Sequence, residues 1–219
     1  TICSTPGYDR ETATVLVPSG LGELTVPSVP SRDQTVMAAK LLIEDWLGDL
    51  PFETDADAAN ALAMILTPFM RGSVPLVPLA VVNGLEAGVG KNLLADCAAI
   101  LATGEAARPL PYVNQEEEMR KQITAAFAGG AELFIFDEAH VVEGTQFARA
   151  VTSLTYTDRV LGVSRMASFP NQVTWMSLGN QVQVNGDMSR RVYFICLSPA
   201  GTTLSDRESY AYRHPDLKA

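Results

Sequence analysis

The stretch Val81–Ala95, reading VVNGLEAGVGKNLLA, constrains this chain more than any other. The apolar run Pro78-Leu79-Ala80-Val81-Val82 has the character of a strand and leads into a turn holding Gly84, Gly88 and Gly90. Lys91 follows, then a helical segment over Asn92–Thr103 closed by Gly104. Strand, glycine turn, lysine and helix in this order suit a phosphate-binding loop. Glycine lets the backbone approach closely and take positive φ. The N–H groups at a helix start, with the positive end of its dipole, attract anions, and a lysine there neutralises the outer phosphates. The pattern G-x-x-x-x-G-K-[ST] is met in part. Gly90-Lys91 fit, but Leu85 stands where the first glycine belongs and Asn92 where Ser or Thr ligates Mg2+. Glu86 adds a negative charge to the loop. The competing reading is a glycine-rich connection in an ordinary α/β protein that binds no nucleotide.

A second feature lies 46 residues after Lys91, which leaves room for a helix, a strand and another helix. Leu133-Phe134-Ile135-Phe136 ends in Asp137-Glu138. A continuous apolar run of this length suits a strand buried on both faces of a parallel sheet, and ligands bind at the carboxyl ends of such strands. There Asp137 would hold a water on Mg2+ and Glu138 would orient or deprotonate an attacking water; the alternative is an acidic turn after a core strand. Gln172–Leu178 reads as another buried strand, followed by Gly179-Asn180. The Asn180 amide is either a contact for a γ-phosphate or a residue chosen for a turn. Arg190 and Arg191 precede a last strand, Val192–Leu197. They are either surface charge or a source of an arginine for a neighbouring subunit's nucleotide.

The remainder reads as scaffold. A hairpin is expected over Thr12–Val26 around Ser19-Gly20, then a helix over Thr35–Leu50 with Met37, Leu41, Leu42, Ile43 and Trp46 on one face. A second helix, Asp55–Met70, should bury Ala58, Ala61, Leu62, Met64, Ile65 and Phe69. Leu110–Val113 is a short strand. Glu116, Glu117 and Glu118 open a helix over Gln115–Ala128, where they suit the dipole and read as a solvated face. Thr145–Leu154 is helical, and the segment from Thr157 to Pro170 forms a short hairpin or loop. With 219 residues and 47% hydrophobic content, the chain can build one large core with a small appendage. A net charge of −9 argues against a broadly basic nucleic-acid surface, though not against a narrow basic lining. Three scattered cysteines suggest a reducing compartment without a disulfide framework. The two histidines and the cysteines form no cluster with zinc spacing, and no apolar run is long enough to span a bilayer. The chain begins at Thr1 without methionine, as a piece of a longer polypeptide would.

These pieces in this order resemble the AAA+ class of P-loop ATPases, and more closely the helicase module of phage- and plasmid-encoded primase-helicase proteins. The resemblance rests on Ala87-Gly88-Val89-Gly90-Lys91, Phe134-Ile135-Phe136-Asp137-Glu138, Thr157–Gly162, Thr174-Trp175 through Gly179-Asn180, and Gly186–Arg191. It implies an α/β fold with a parallel five-stranded sheet of the AAA+/ASCE type between helices. It also implies a small N-terminal helical and hairpin subdomain over 1–75, an ATPase core over 76–200 and a tail over 201–219. ATP and Mg2+ are the implied cofactors. Ala87, Gly88, Val89, Gly90, Lys91 and Asn92 would bind nucleotide, with Asp137 and Asn92 on the metal. Glu138 becomes the catalytic glutamate, Asn180 the sensor 1 residue, and Arg190, or else Arg191, an arginine finger acting in trans. Arg159 and Arg165 fall on a hairpin that lines a DNA channel in related helicases. The implied partners are further copies in a ring, a hexamer by analogy, single- or double-stranded DNA, and a primase domain or other replication proteins. No membrane is implied, and the implied location is the cytoplasm of a bacterial host. Asn92 and Glu86 motivate the alternative, a nucleotide-gated assembly or scaffold module with little hydrolysis.

Overall fold

The computed structural model describes residues 7–10, 14–16, 27–160 and 165–198. It forms two compact units, Thr1–Lys40 and Leu41–Ala219. The first holds β1 (Gly7–Asp9) and β2 (Thr14–Leu16), paired antiparallel, and helix α1 (Arg32–Lys40). The turn expected at Ser19-Gly20 lies outside the described residues. Ser31 and Gln34 start α1 with reciprocal bonds: Ser31 Oγ accepts the Gln34 N–H at 3.2 Å, and Gln34 Oε1 accepts the Ser31 N–H at 2.9 Å.

The expected helix over Thr35–Leu50 is not continuous. The second unit opens with a π-helical turn, Leu41–Trp46, in which the Leu47 N–H reaches back to the Leu42 carbonyl at 3.0 Å. The wider turn shifts the helix face. Leu47 and Leu50 are the residues that become buried, while Met37, Leu41 and Ile43 stay exposed. Helix α2 (Asp55–Met70) has the expected bounds because Thr54 caps it, its hydroxyl accepting the Asp57 N–H at 3.2 Å. Its buried stripe runs through Asp57, Ala61, Met64 and Ile65 toward Pro68. Phe69 sits one position round the helix and is exposed, contrary to expectation. Asp57 Oδ1 accepts the Cys196 N–H at 2.7 Å and Asn60 Nδ2 donates to the Phe194 carbonyl at 2.9 Å. Thus α2 belongs to the unit that carries the sheet, Leu41–Ala219.

From there the elements alternate: β3 (Leu79–Gly84), α3 (Lys91–Thr103), β4 (Leu110–Pro111), α4 (Glu116–Ala128), β5 (Leu133–Asp137), β6 (Val141–Val142) and α5 (Thr145–Thr152). The antiparallel pair β7 (Thr155–Arg159) and β8 (Met166–Pro170) follows, then β9 (Thr174–Asn180) and β10 (Gln183–Val184), which pairs with β6. A 3₁₀ turn (Gly186–Arg190) leads to β11 (Val192–Leu197). Five strands form one parallel sheet in the order β11-β3-β9-β5-β4. Strand residues alternate between its faces. Ala80, Val82, Ile135, Met176 and Ile195 pack with Ala61, Met64 and Ile65 of α2 and Leu94 and Ala98 of α3. Leu79, Val81, Phe134, Phe136 and Trp175 pack with Met119, Ile123 and Phe127 of α4 and Phe147 and Val151 of α5. The sheet is therefore the middle of three layers. The described segment after the sheet stops at Ser198, so the expected tail over 201–219 lies outside it. Among the described residues no helix is long and apolar enough to cross a membrane.

The acidic start of α4 is exposed as expected, and Glu116 has a further role there. Glu116 accepts the N–H groups of Thr145 at 2.6 Å and Gln146 at 2.9 Å, so it caps the neighbouring helix α5. The α5 cap residue is Gly144, which has no side chain to do this. Glu116→Ala is expected to destabilise the fold by about 1 kcal/mol, the usual cost of losing a helix cap; urea unfolding measures it, and an unchanged midpoint would remove the cap from the stability account.

Candidate functional site

The sheet order decides where a ligand can sit. The chain leaves β3 for one edge of the sheet and leaves β9 for the other, so the carboxyl ends of these two neighbours border a crevice. Gly84 and Asn180 are paired across it, ending β3 and β9. The segment after β9 is tied to the end of β3: the Gly84 carbonyl accepts the Gln181 N–H at 3.0 Å, and Asn83 Oδ1 accepts the Val182 N–H at 2.8 Å.

The glycine loop hangs from this edge. Gly88 and Gly90 have φ of 77° and 96°, a left-handed conformation that side chains disfavour. Gly90 is the cap of α3, and Lys91 is its first residue. Val89 is fully buried and pins the loop, while Leu85 through Gly88 are exposed. The Lys91 ammonium donates to Asn180 Oδ1 at 2.6 Å and to the Glu86 carbonyl at 3.3 Å. All of this crosses Gly84. A Cβ there would lie 2.8 Å from Val89 Cγ2, 2.9 Å from Lys91 Nζ and 3.1 Å from Asn180 Oδ1.

Asp137 ends β5, one strand beyond β9. Burial lowers the Lys91 pKa below the ordinary lysine value, and the Asp137 carboxylate opposes that shift, so the two charges sense each other. Asp137 Oδ1 accepts the Glu138 N–H at 2.7 Å. Glu138 is exposed and takes φ of 58°, unusual for a side-chain-bearing residue. The turn is held from below: Ala139 donates to the Leu178 carbonyl at 2.9 Å, and a Cβ on Gly179 would stand 2.0 Å from the Ala139 carbonyl oxygen.

The structure thus gathers Ala87, Gly88, Val89, Gly90, Lys91, Asp137 and Asn180 at one end of the sheet, with Glu138 beside Asp137. Asn92 is exposed in the first turn of α3. Arg190 and Arg191 lie elsewhere. They precede β11, and the Leu79 N–H bonds to the Arg191 carbonyl at 2.9 Å, which places both at the amino end of the sheet. Arg190 pairs with Asp187 at 2.9 Å and Arg191 with the same carboxylate at 3.6 Å. Arg159 and Arg165 are exposed near the outer end of the β7–β8 pair. Sequence reasoning gave no role to Gly179, whose value is a close approach visible only once β9 sits beside the Asp137 turn. It also passed over Asp158, buried on β7 with Arg120 and Arg149 against it. The sign was there: Tyr156 and Asp158 share the inward parity of an alternating strand.

The fold is similar to that of the NrS-1 C-terminal region in its apo A form, with a TM-score of 0.54 and 14% identity over 81% of this chain and 42% of that one. It is also similar to JCV helicase bound to an N-(4-(2-(thiazolo[5,4-c]pyridin-2-yl)phenoxy)phenyl)acetamide. That likeness has a TM-score of 0.46 and 14% identity over 75% and 46% of the two chains, too loose to carry an argument. The chain spans less than half of either protein's compared length. No family model and no curated protein matches it. Likeness at this identity is likeness of fold, and it agrees with the strand order: an α/β fold whose five-stranded parallel sheet lies between helices.

Gly179→Ala is expected to force the Ala139 turn away from β9 at a cost of about 1–3 kcal/mol, typical of overpacking. Chemical denaturation reads it, and wild-type stability would mean that the turn yields freely.

Proposed function

We propose that this chain binds ATP and hydrolyses it as an AAA+ motor subunit, the nucleotide-driven module of a ring-forming DNA helicase of the phage or plasmid primase-helicase kind. One observation carries the reading: Lys91 and Asn180 meet over a glycine at the carboxyl edge of a parallel sheet, within electrostatic reach of Asp137. The donors suit a triphosphate. The N–H groups of Ala87 through Lys91 would cradle the phosphates, and Lys91 would exchange the Asn180 amide for phosphate oxygens. A carboxylate and a carboxamide are hard oxygen donors of the kind Mg2+ takes. Asp137 and Asn92 would hold the ion, which would neutralise phosphate charge when bound. Glu138 would orient the attacking water and accept its proton. Asn180, released from Lys91, would be left to contact the γ-phosphate or the water.

Arg190 and Arg191 are too far from this edge to act on their own chain's nucleotide. Six residues of β11 at roughly 3.3 Å each separate them from it. An arginine finger from either one would serve the neighbouring copy in a ring, and Arg190 is the more exposed. The β7–β8 pair would present Arg159 and Arg165 to nucleic acid in the channel. The exposed Asn92 and Glu86 favour a second reading, a nucleotide-gated assembly module with weak hydrolysis. ATP-dependent oligomerisation without phosphate release would select it.

Lys91→Ala is expected to abolish equilibrium binding of labelled ATP. Glu138→Gln should keep binding yet lose phosphate release by about a hundredfold or more, as removal of a general base does. Equal release from wild type and Glu138→Gln would take Glu138 out of the chemistry, and a wild-type chain that binds no ATP would end the proposal. Arg190→Ala should bind ATP without turning it over. Mixing it with Lys91→Ala protein should then restore part of the activity; no recovery in the mixture would argue against action between subunits.

A further inference from the structure

The β7–β8 pair is held by a carboxylate whose acceptor sites are all taken. Asp158 is 7% exposed. Its Oδ1 accepts from Arg120 Nη1 at 2.8 Å and from the Arg159 backbone N–H at 2.7 Å. Its Oδ2 accepts from Arg149 Nη2 at 2.9 Å and from the Tyr156 hydroxyl at 2.8 Å. Four donors are what an ionised carboxylate can accept. Burial pushes the Asp158 carboxyl up, but the bonds from Tyr156, the Arg159 N–H and Arg120 together outweigh it and hold the group below its usual range. Tyr156 adds its own tie, stacking on Phe127 of α4 with ring centroids 4.6 Å apart and lying under the Arg149 guanidinium at 4.8 Å.

Arg120 belongs to α4 and Arg149 to α5, so one side chain joins two helices to a strand. Its place on that strand matters. Asp158 pairs with Ala167, and the next pair outward is Arg159 with Met166, directly after Arg165. The tie therefore sits at the end of the hairpin that carries both arginines. At its other end α5 starts at Thr145, a few residues past Glu138, with its first N–H groups held by Glu116 of α4. An apolar residue at 158 would fill the space without desolvating three charges. What the ion pairs add is a fixed direction.

We propose that Asp158 is a positioning residue: through Arg120 and Arg149 it locks the arginine-bearing end of the hairpin to α4 and α5, so that nucleic acid held there is coupled to hydrolysis beside Glu138. This rests on the motor reading above. The test uses the whole chain, ATP and a single-stranded oligodeoxynucleotide, which should accelerate hydrolysis by the wild type. Asp158→Asn is expected to keep nucleotide affinity and basal hydrolysis while lowering the acceleration by about threefold to thirtyfold, the span of coupling changes seen along such networks. Arg149→Gln should act alike, and Arg149→Lys, which keeps the charge, should restore most of the effect. The Arg149 variants carry the test if Asp158→Asn fails to fold, since Arg149 is the more exposed partner. Acceleration at the wild-type level in both Asp158→Asn and Arg149→Gln overturns the inference, as does a loss matched by an equal loss of nucleotide affinity. A wild type indifferent to the oligonucleotide overturns the motor reading itself, so the two failures are told apart.

Discussion

The site depends on the insertion of β9 between β3 and β5. Without that strand the glycine loop on β3 would lie beside the Asp137 turn, and no residue would stand between the lysine and the carboxylate. With it, Asn180 comes to Lys91 at 2.6 Å while Asp137 acts on the same ammonium from one strand further. The contacts at the carboxyl end of β9 depend on two glycines, one on β3 and one on β9. Gly84 on β3 leaves room for Lys91 and Asn180 to meet, and Gly179 on β9 admits the Ala139 carbonyl from the β5 side. Two close approaches, one on each flank of the same strand, set Lys91, Asn180 and the turn after Asp137 at one end of the sheet. The ammonium–amide bond is charge-assisted and strong for its kind, and it occupies Lys91 with a group that a phosphate can replace.

The fold was legible where local rules and burial agree. Thr54 caps α2 at the expected residue, and Gly104 closes α3 in a left-handed conformation with its N–H on the Ile100 carbonyl at 2.8 Å. The runs Leu133–Asp137 and Thr174–Asn180 are apolar on both faces because helices cover both, which is the signal that marks a central parallel strand. The π-helical turn was not legible. Its one extra residue breaks the period on which the face Met37, Leu41 and Trp46 was drawn, and nothing in Leu41–Trp46 announces it. Phe69 was misplaced for the related reason that an apolar residue at the end of a helix counts toward a face only if something lies opposite.

The site residues were legible as types in order, not as contacts. Lys91, Asp137 and Asn180 follow from a glycine loop and two strand ends. Their meeting follows from strand order, which no spacing encodes. The roles that the sequence does not show are those whose partners lie on other elements: Glu116, which serves α5 from α4, and Asp158, which answers Arg120 and Arg149. Arg71 is a third case. It is 7% exposed, and its guanidinium donates to the carbonyls of Val74 and Asn171, both at 2.7 Å, fastening the end of α2 to the approach of β9. Each of these side chains looks like ordinary surface charge in the sequence, and each has a partner far along the chain.

Net charge and local charge pull in different directions in this molecule, and the geometry reconciles them. The chain carries −9, yet several of its arginines are drawn inward or paired. Arg71, Arg120 and Arg149 brace α2, α4, α5 and β7, and Arg191 is three-quarters or more covered beside Asp187. Arg159 and Arg165 at the hairpin end and Arg190 before β11 are exposed. An acidic surface repels a polyanion over distances of about 8–10 Å in ordinary salt, so a chain of this charge can hold one only where a few cations stand forward of that surface. Fixing such cations to a rigid block matters more here than it would on a basic protein, because flexible ones would be shared with neighbouring carboxylates. The buried Asp158 keeps Arg120 and Arg149 occupied beneath the exposed Arg159, and on the proposed reading this rigid block is what would let a few cations meet a polyanion.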